Sequence, residues 1–106
     1  MNLKILVINV GPASTKVGLF HSTRPVFVGS LHHPEEELDK FKDINDQKDY
    51  REKFVLDFLA ENEVDINSLA AVAARGGWLR PLDSGTYLVN DKMLSELIEG
   101  KWGFHA

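Results

Sequence analysis

The sequence contains no cysteine, which excludes disulfide bridges and thiolate metal sites and leaves the chain compatible with a reducing compartment. Long apolar runs are missing too. The stretch after Met1-Asn2-Leu3-Lys4 is too short and too soon interrupted for a signal peptide, and nothing approaches the roughly 20 apolar residues that span a bilayer. Positive charge is in deficit: 12 Lys and Arg stand against 16 Asp and Glu, for a formal net charge of -4. The basic residues are scattered, so no stripe exists to displace counterions from a nucleic-acid backbone. A soluble cytoplasmic protein with no nucleic-acid or membrane partner is expected. Internal repeats, low-complexity tracts and interdomain linkers are absent as well.

What remains is an ordinary globular composition, 43% apolar and 26% charged over 106 residues. That length suits one compact domain, or a piece of a larger one, and a single core. Ile5 to Ile8 is a continuous apolar run that predicts a strand buried on both faces, broken at Gly11-Pro12. Ser14 to Phe20 predicts a second strand antiparallel to it. A third follows Arg24-Pro25 and carries Val26, Phe27, Val28 and Leu31. Pro34 at a first helical position and Glu35, Glu36 and Glu37 at the positive dipole end predict a short helix with Leu38 and Phe41 turned inward.

Lys42 to Lys48 reads as a polar loop. Tyr50, Phe54, Val55, Phe58 and Leu59 form one apolar stripe on a helix from about Asp49 to Glu61. After a turn at Asp65 to Ser68, Leu69 to Ala74 predicts a small-residue strand packed between neighbours, ended by Gly76-Gly77. Thr86 to Val89 predicts another short strand. Asn90 or Asp91 then caps a helix with Met93, Leu94, Leu97 and Ile98, closed by Gly100. The order β-β-β-α-α-β-β-α is mixed α/β, one sheet with helices packed on it.

Three segments carry candidate chemistry. Asn9 to Lys16 forms a strand-turn-strand junction whose backbone N–H groups can cradle phosphate oxygens, with Asn9, Ser14 and Thr15 as neutral contacts and Lys16 as the charge. It lacks the Gly-Lys-Ser/Thr ending of a Walker A loop and leads into a strand, so a plain hairpin turn is the competing reading. Arg75 at a strand end, followed by Gly76 and Gly77, places a guanidinium beside backbone that a ligand can approach, where it could fork onto a carboxylate or phosphate. An arginine in a surface salt bridge is the alternative there. His105, near the end, is a lone histidine for which simple solvation is the default. The His32-His33 doublet points to opposite faces of a strand and cannot chelate one metal, and Glu35 to Glu37 reads as a solvated helix start.

Taken together, these pieces resemble the butyrate kinase family, within the superfamily of acetate kinases, sugar kinases and actin. The opening Lys4 to Asn9 with Gly11, Ser14, Thr15 and Lys16 is similar to the start of butyrate and acetate kinases. Arg75-Gly76-Gly77, Leu79-Arg80-Pro81, Gly85-Thr86-Tyr87 and Val89-Asn90 resemble the butyrate kinase branch more than the acetate kinase branch. The resemblance implies a ribonuclease-H-like, actin-like ATPase fold. Residues 1–106 would be its amino-terminal domain, truncated. It also implies Mg2+ and ATP as cofactors and a short-chain carboxylate as phosphoryl acceptor.

By the same resemblance, Asn9, Ser14 and Lys16 would lie near the metal and transferring phosphoryl group, with Gly11 and Thr15 in the same cofactor loop. Arg75, Gly76, Gly77 and His105 would line the substrate pocket, with Arg75 and His105 as its catalytic residues. Two departures stand out. Pro12 and Ala13 occupy positions where the family has hydroxyl residues, and Pro12 removes an N–H from the cradle. Trp102 and Phe104 stand where charged residues are expected.

These kinases are several times longer, with the adenosine-binding half downstream. The chain alone is therefore expected to show no kinase turnover, since half a cleft does not exclude water. Surfaces that the other half would cover imply self-association, with Trp78 and Trp102 as candidates. A non-catalytic interaction module of kinase ancestry, or another acyl kinase such as acetate kinase, are the alternatives.

Overall fold

A computed structural model describes residues 3–75 and 80–102. It is mixed α/β, with one four-stranded sheet of order β3-β2-β1-β4 and flanking helices. Strands β1 (Lys4–Val10), β2 (Ser14–His21) and β3 (Arg24–His32) form the expected antiparallel meander. Strand β4 (Ala71–Arg75) returns to pair with β1 in parallel. Pro25 lies on the outer strand β3, beside a register shift at Leu19 and Phe20, where its missing N–H breaks no central ladder.

Helices follow the stripes that predict them. Helix α1 (Glu35–Leu38) is a single turn with Pro34 as its N-cap residue, one position before the helical site expected for it. The segment read as a loop contains a 3-10 turn at Ile44–Gln47, held by the Asp43 side chain accepting from the Asn45 N–H. It runs directly into α2 (Lys48–Glu61), the long helix that covers the sheet. Leu6 and Val17 from the sheet and Val55 and Leu59 from α2 form the core, with Ile8, Leu31, Phe58, Val64 and Leu69 packed around it. The whole measures 38 × 36 × 20 Å, and the short dimension matches one sheet plus one helix layer.

That single layer overturns several expectations. β1 was expected to be buried on both faces, yet of its residues only Leu6 is fully buried, because α2 covers one side alone. β4 is an edge strand and all five of its residues are exposed, since among the described residues no further strand pairs outside it. Thr86 to Val89 forms no strand. Among the described residues no neighbouring strand offers it a ladder, Leu88 is 93% exposed, and the Tyr87 hydroxyl donates locally to the Asp83 carbonyl at 2.6 Å. Helix α3 (Asp91–Glu99) forms as its sequence predicts, capped by Asn90 accepting from the Met93 N–H and ended by Gly100 at φ 67°. Among the described residues no helix is long and apolar enough to cross a membrane.

Two backbone details fix where stability can be gained or lost. Helix α2 ends in a Schellman arrangement: the Val64 N–H reaches the Leu59 carbonyl at 2.9 Å and the Glu63 N–H reaches Ala60 at 3.0 Å. Glu63 therefore sits at φ 57°, a conformation that costs an L side chain and suits glycine. Gly29 of β3 lies under the Phe58 ring, so that a methyl group added there would sit 2.8 Å from two ring carbons. Glu63→Gly should accordingly raise stability by about 1 kcal/mol. Gly29→Ala should lower it by about 1–3 kcal/mol through overpacking. Urea titration of the two variants against the parent chain measures both signs.

Candidate anion site at the β1–β2 turn

The turn between β1 and β2 has Pro12 and Ala13 at its tip, between Gly11 and Ser14. The Gly11 N–H donates to the Ser14 carbonyl at 2.8 Å, and the Ala13 carbonyl accepts from the His33 N–H at 2.9 Å. Gly11 does not use the left-handed region, which of the described glycines only Gly100 occupies. Proline at the tip, rather than an unusual glycine conformation, marks where the strand stops.

Register brings three of the expected residues into one row. Asn9 on β1 pairs with Lys16 on β2 and with Arg75 on β4. Adjacent strands lie about 4.8 Å apart, so the row spans on the order of 10 Å. It lies at the carboxyl ends of the parallel pair β1 and β4, the end where open α/β sheets hold ligands. Lys16 and Arg75 are exposed, and neither side chain has a hydrogen-bond or ion-pair partner among the described residues. Arg75 also borders a cleft of about 810 Å³ on the helix side of the sheet, walled by Leu6, Ile8, Val55 and Leu97, whereas Lys16 does not. Residues paired in register share a face, so the row lies on the face opposite Leu6, Ile8 and Val17, and only Arg75, at the end of its strand, also reaches the cleft.

Thr15 takes a different place from the other turn residues. Its side chain is 1% exposed, because it follows the alternation of β2 that also buries Val17 and Leu19. Its hydroxyl meets Nε2 of His33 at 2.8 Å and accepts from Nη1 of Arg51 at 3.2 Å. Ser14 contributes its backbone carbonyl to Arg51 Nη1 at 3.0 Å, and Pro12 contributes its carbonyl to Arg51 Nη2 at 3.2 Å. Gln47 completes the set, accepting from Arg51 Nε at 3.0 Å.

His33 is fully buried, edge-on to the Phe54 ring at 4.7 Å and to the Tyr50 ring at 5.4 Å. Among the described residues its Nδ1 has no hydrogen-bond partner. Burial first, then the Arg51 charge and then His32, holds its pKa below the ordinary value of 6.5. Burial likewise lowers Arg51 from its usual range, with the nearby Tyr50 acting the other way.

Sequence reasoning missed this Arg51-Thr15-His33 cluster. A signal existed: Arg51 stands four residues before Val55 and eight before Leu59, on the buried side of α2. The opposite facing of His32 and His33 was legible, and His32 is indeed exposed. Gly76, Gly77, Trp78 and His105 lie outside the described residues. Trp102 is 40% exposed, with the Lys101 ammonium 5.8 Å from its ring. Among the described residues no group of three or more His, Asp or Glu side chains is placed to hold a metal ion; the amide of Asn9 is the neutral oxygen donor in the row. No protein-family model matches the chain.

The buried histidine fixes a pH response. A base whose pKa is depressed by folding binds more protons when unfolded, so stability is complete above about 6.5 and falls as pH drops through that value toward the folded pKa. The groups facing the ring are Arg51 and Tyr50 on α2, with His32 beside it on β3. Thermal unfolding between pH 8 and pH 5 should show a melting temperature that drops below pH 6.5, and His33→Gln should flatten that slope.

Proposed function

We propose that this chain supplies one wall of a phosphotransferase site, in a kinase of short-chain carboxylates such as butyrate. The observation that carries the reading is the row of Asn9, Lys16 and Arg75 at the carboxyl ends of β1 and β4, beside the turn. Two unpartnered cations and a neutral amide at one end of a sheet suit a phosphoryl group, whose oxygens spread negative charge. The guanidinium of Arg75 presents paired donors to a carboxylate or phosphate, while the ammonium of Lys16 acts as a point charge.

The residues present suit Mg-ATP as the donor: Asn9 would offer an oxygen to the metal, and Lys16 and the turn would hold the phosphates. Bound Mg-ATP would supply the phosphoryl group. The protein's share is to hold the anions in line and to offset their charge. Gly76, Gly77 and His105 are assigned to the same pocket by the family resemblance.

A second reading, a non-catalytic interaction module that also self-associates, draws on a specific feature. The β4 edge is open, and Val72 there, with Leu94 and Ile98 on α3, is exposed. Amide spectra of the chain titrated with butyrate and with a non-hydrolysable ATP analogue separate the two. The kinase reading expects shifts clustered at residues 9–16 and 75. Lys16→Ala and Arg75→Ala should each weaken binding by about tenfold or more, the loss of one charge-assisted contact. Silence at those positions, with shifts confined to β4 and α3 as concentration rises, would favour the interaction module.

A further inference from the structure

Arg51 commits every nitrogen of its side chain to protein oxygens, and two of those acceptors are backbone carbonyls of the β1–β2 turn, Pro12 and Ser14. The Pro12 carbonyl lies beyond the ladder and needs a partner when it faces the interior, while the Ser14 carbonyl also accepts from the Gly11 N–H. A guanidinium could serve merely to satisfy them. The peptide geometry gives it a second consequence.

We infer that Arg51 is a positioning residue for the anion site, turning the peptide dipoles of the β1–β2 turn inward by their carbonyls so that the opposite N–H groups face the ligand. In a trans peptide the N–H points away from the C=O of the same unit. The Pro12 carbonyl held by Arg51 Nη2 therefore directs the Ala13 N–H away from the guanidinium. The Ala13 carbonyl, held by the His33 N–H, directs the Ser14 N–H away from His33. Pro12 has no N–H of its own, so Ala13 provides the first amide of the tip that can donate.

A carbonyl released from Arg51 and rotated outward would present its negative end to an anion and oppose binding. Thr15 and His33 support the arrangement from beneath. The hydroxyl of Thr15 receives Nη1, and His33 packs against the same hydroxyl while its own backbone ties down Ala13. The inference rests on the anion-binding reading for its functional consequence, but its structural half stands apart from it.

The test uses the whole chain with Arg51→Lys, which keeps the charge and loses the fork that reaches two carbonyls at once. A Val55→Ala variant, weakened in the core and away from the turn, controls for stability. Without ligand, Arg51→Lys should move the Ala13 and Ser14 amide resonances and speed their hydrogen exchange, while Val55→Ala leaves both in place. Affinity for the ATP analogue should fall about tenfold in Arg51→Lys and stay unchanged in Val55→Ala.

Unmoved turn amides in a folded Arg51→Lys protein, or equal losses of affinity in both variants, would overturn the inference. If Arg51→Lys does not fold, Thr15→Val removes the shared oxygen and should displace the same amides. Stationary amides there would equally count against it. Should the parent chain bind no analogue, the kinase reading falls, while the ligand-free amides still decide whether Arg51 sets the turn.

Discussion

A buried guanidinium determines how the helix meets the sheet. Arg51 is 7% exposed, and a charge so placed must find acceptors or carry a heavy desolvation cost. It finds them at the connection between β1 and β2, in the carbonyls of Pro12 and Ser14. Helix and turn thus solve each other's polar problem. The contact also fixes the helix along its axis, because sliding α2 by one turn would remove the carbonyls from reach. The apolar contacts of Val55 and Leu59 with Leu6 and Val17 supply most of the attraction, but they are tolerant of small displacements. The directional hydrogen bonds are less so.

His33 shows how closely the polar cluster and the core are joined. Its imidazole meets Thr15 on one side and the Tyr50 and Phe54 rings on the others, so a polar side chain is held in a mostly aromatic enclosure. Neutral imidazole is the form such a place accepts. Arg80 makes a two-pronged pair with Glu96 of α3, and the hydrogen bond to Arg80 holds the Glu96 carboxyl below its usual range. That pair ties the segment before α3 to the helix. The bond from Asn45 Nδ2 to the Ile98 carbonyl, at 2.8 Å, links α3 to the turn that precedes α2.

Much of this architecture was legible in residue order. The meander followed from runs of β-branched residues separated by turn formers, and both longer helices followed from their apolar stripes and, for α3, from Asn90 and Gly100. Strand-forming residues at Thr86 to Val89 were not enough, because a strand needs a partner and propensity cannot supply one. For the same reason the small residues of β4 suggested burial, although their place at the sheet edge leaves them uncovered. Within the candidate site, the register of Asn9, Lys16 and Arg75 could not be derived from spacing, since it depends on which strand β4 joins. The inward direction of Thr15 was implicit in the period of two along β2, yet its proximity to a polar turn obscured it.

The parallel pairing of β4 with β1 has a bearing on how the molecule assembles. Its partner strand is β1, and the meander's far strands, the short helix and all of α2 must be traversed before the two can meet. The antiparallel ribbon can zip locally, but the row that ends in Arg75 exists only after this long loop has closed. Assembly of the cationic row is therefore the slow, entropically opposed event in folding. Until it happens β1 presents an unpaired flank, ready to be taken by any other extended segment that reaches it first.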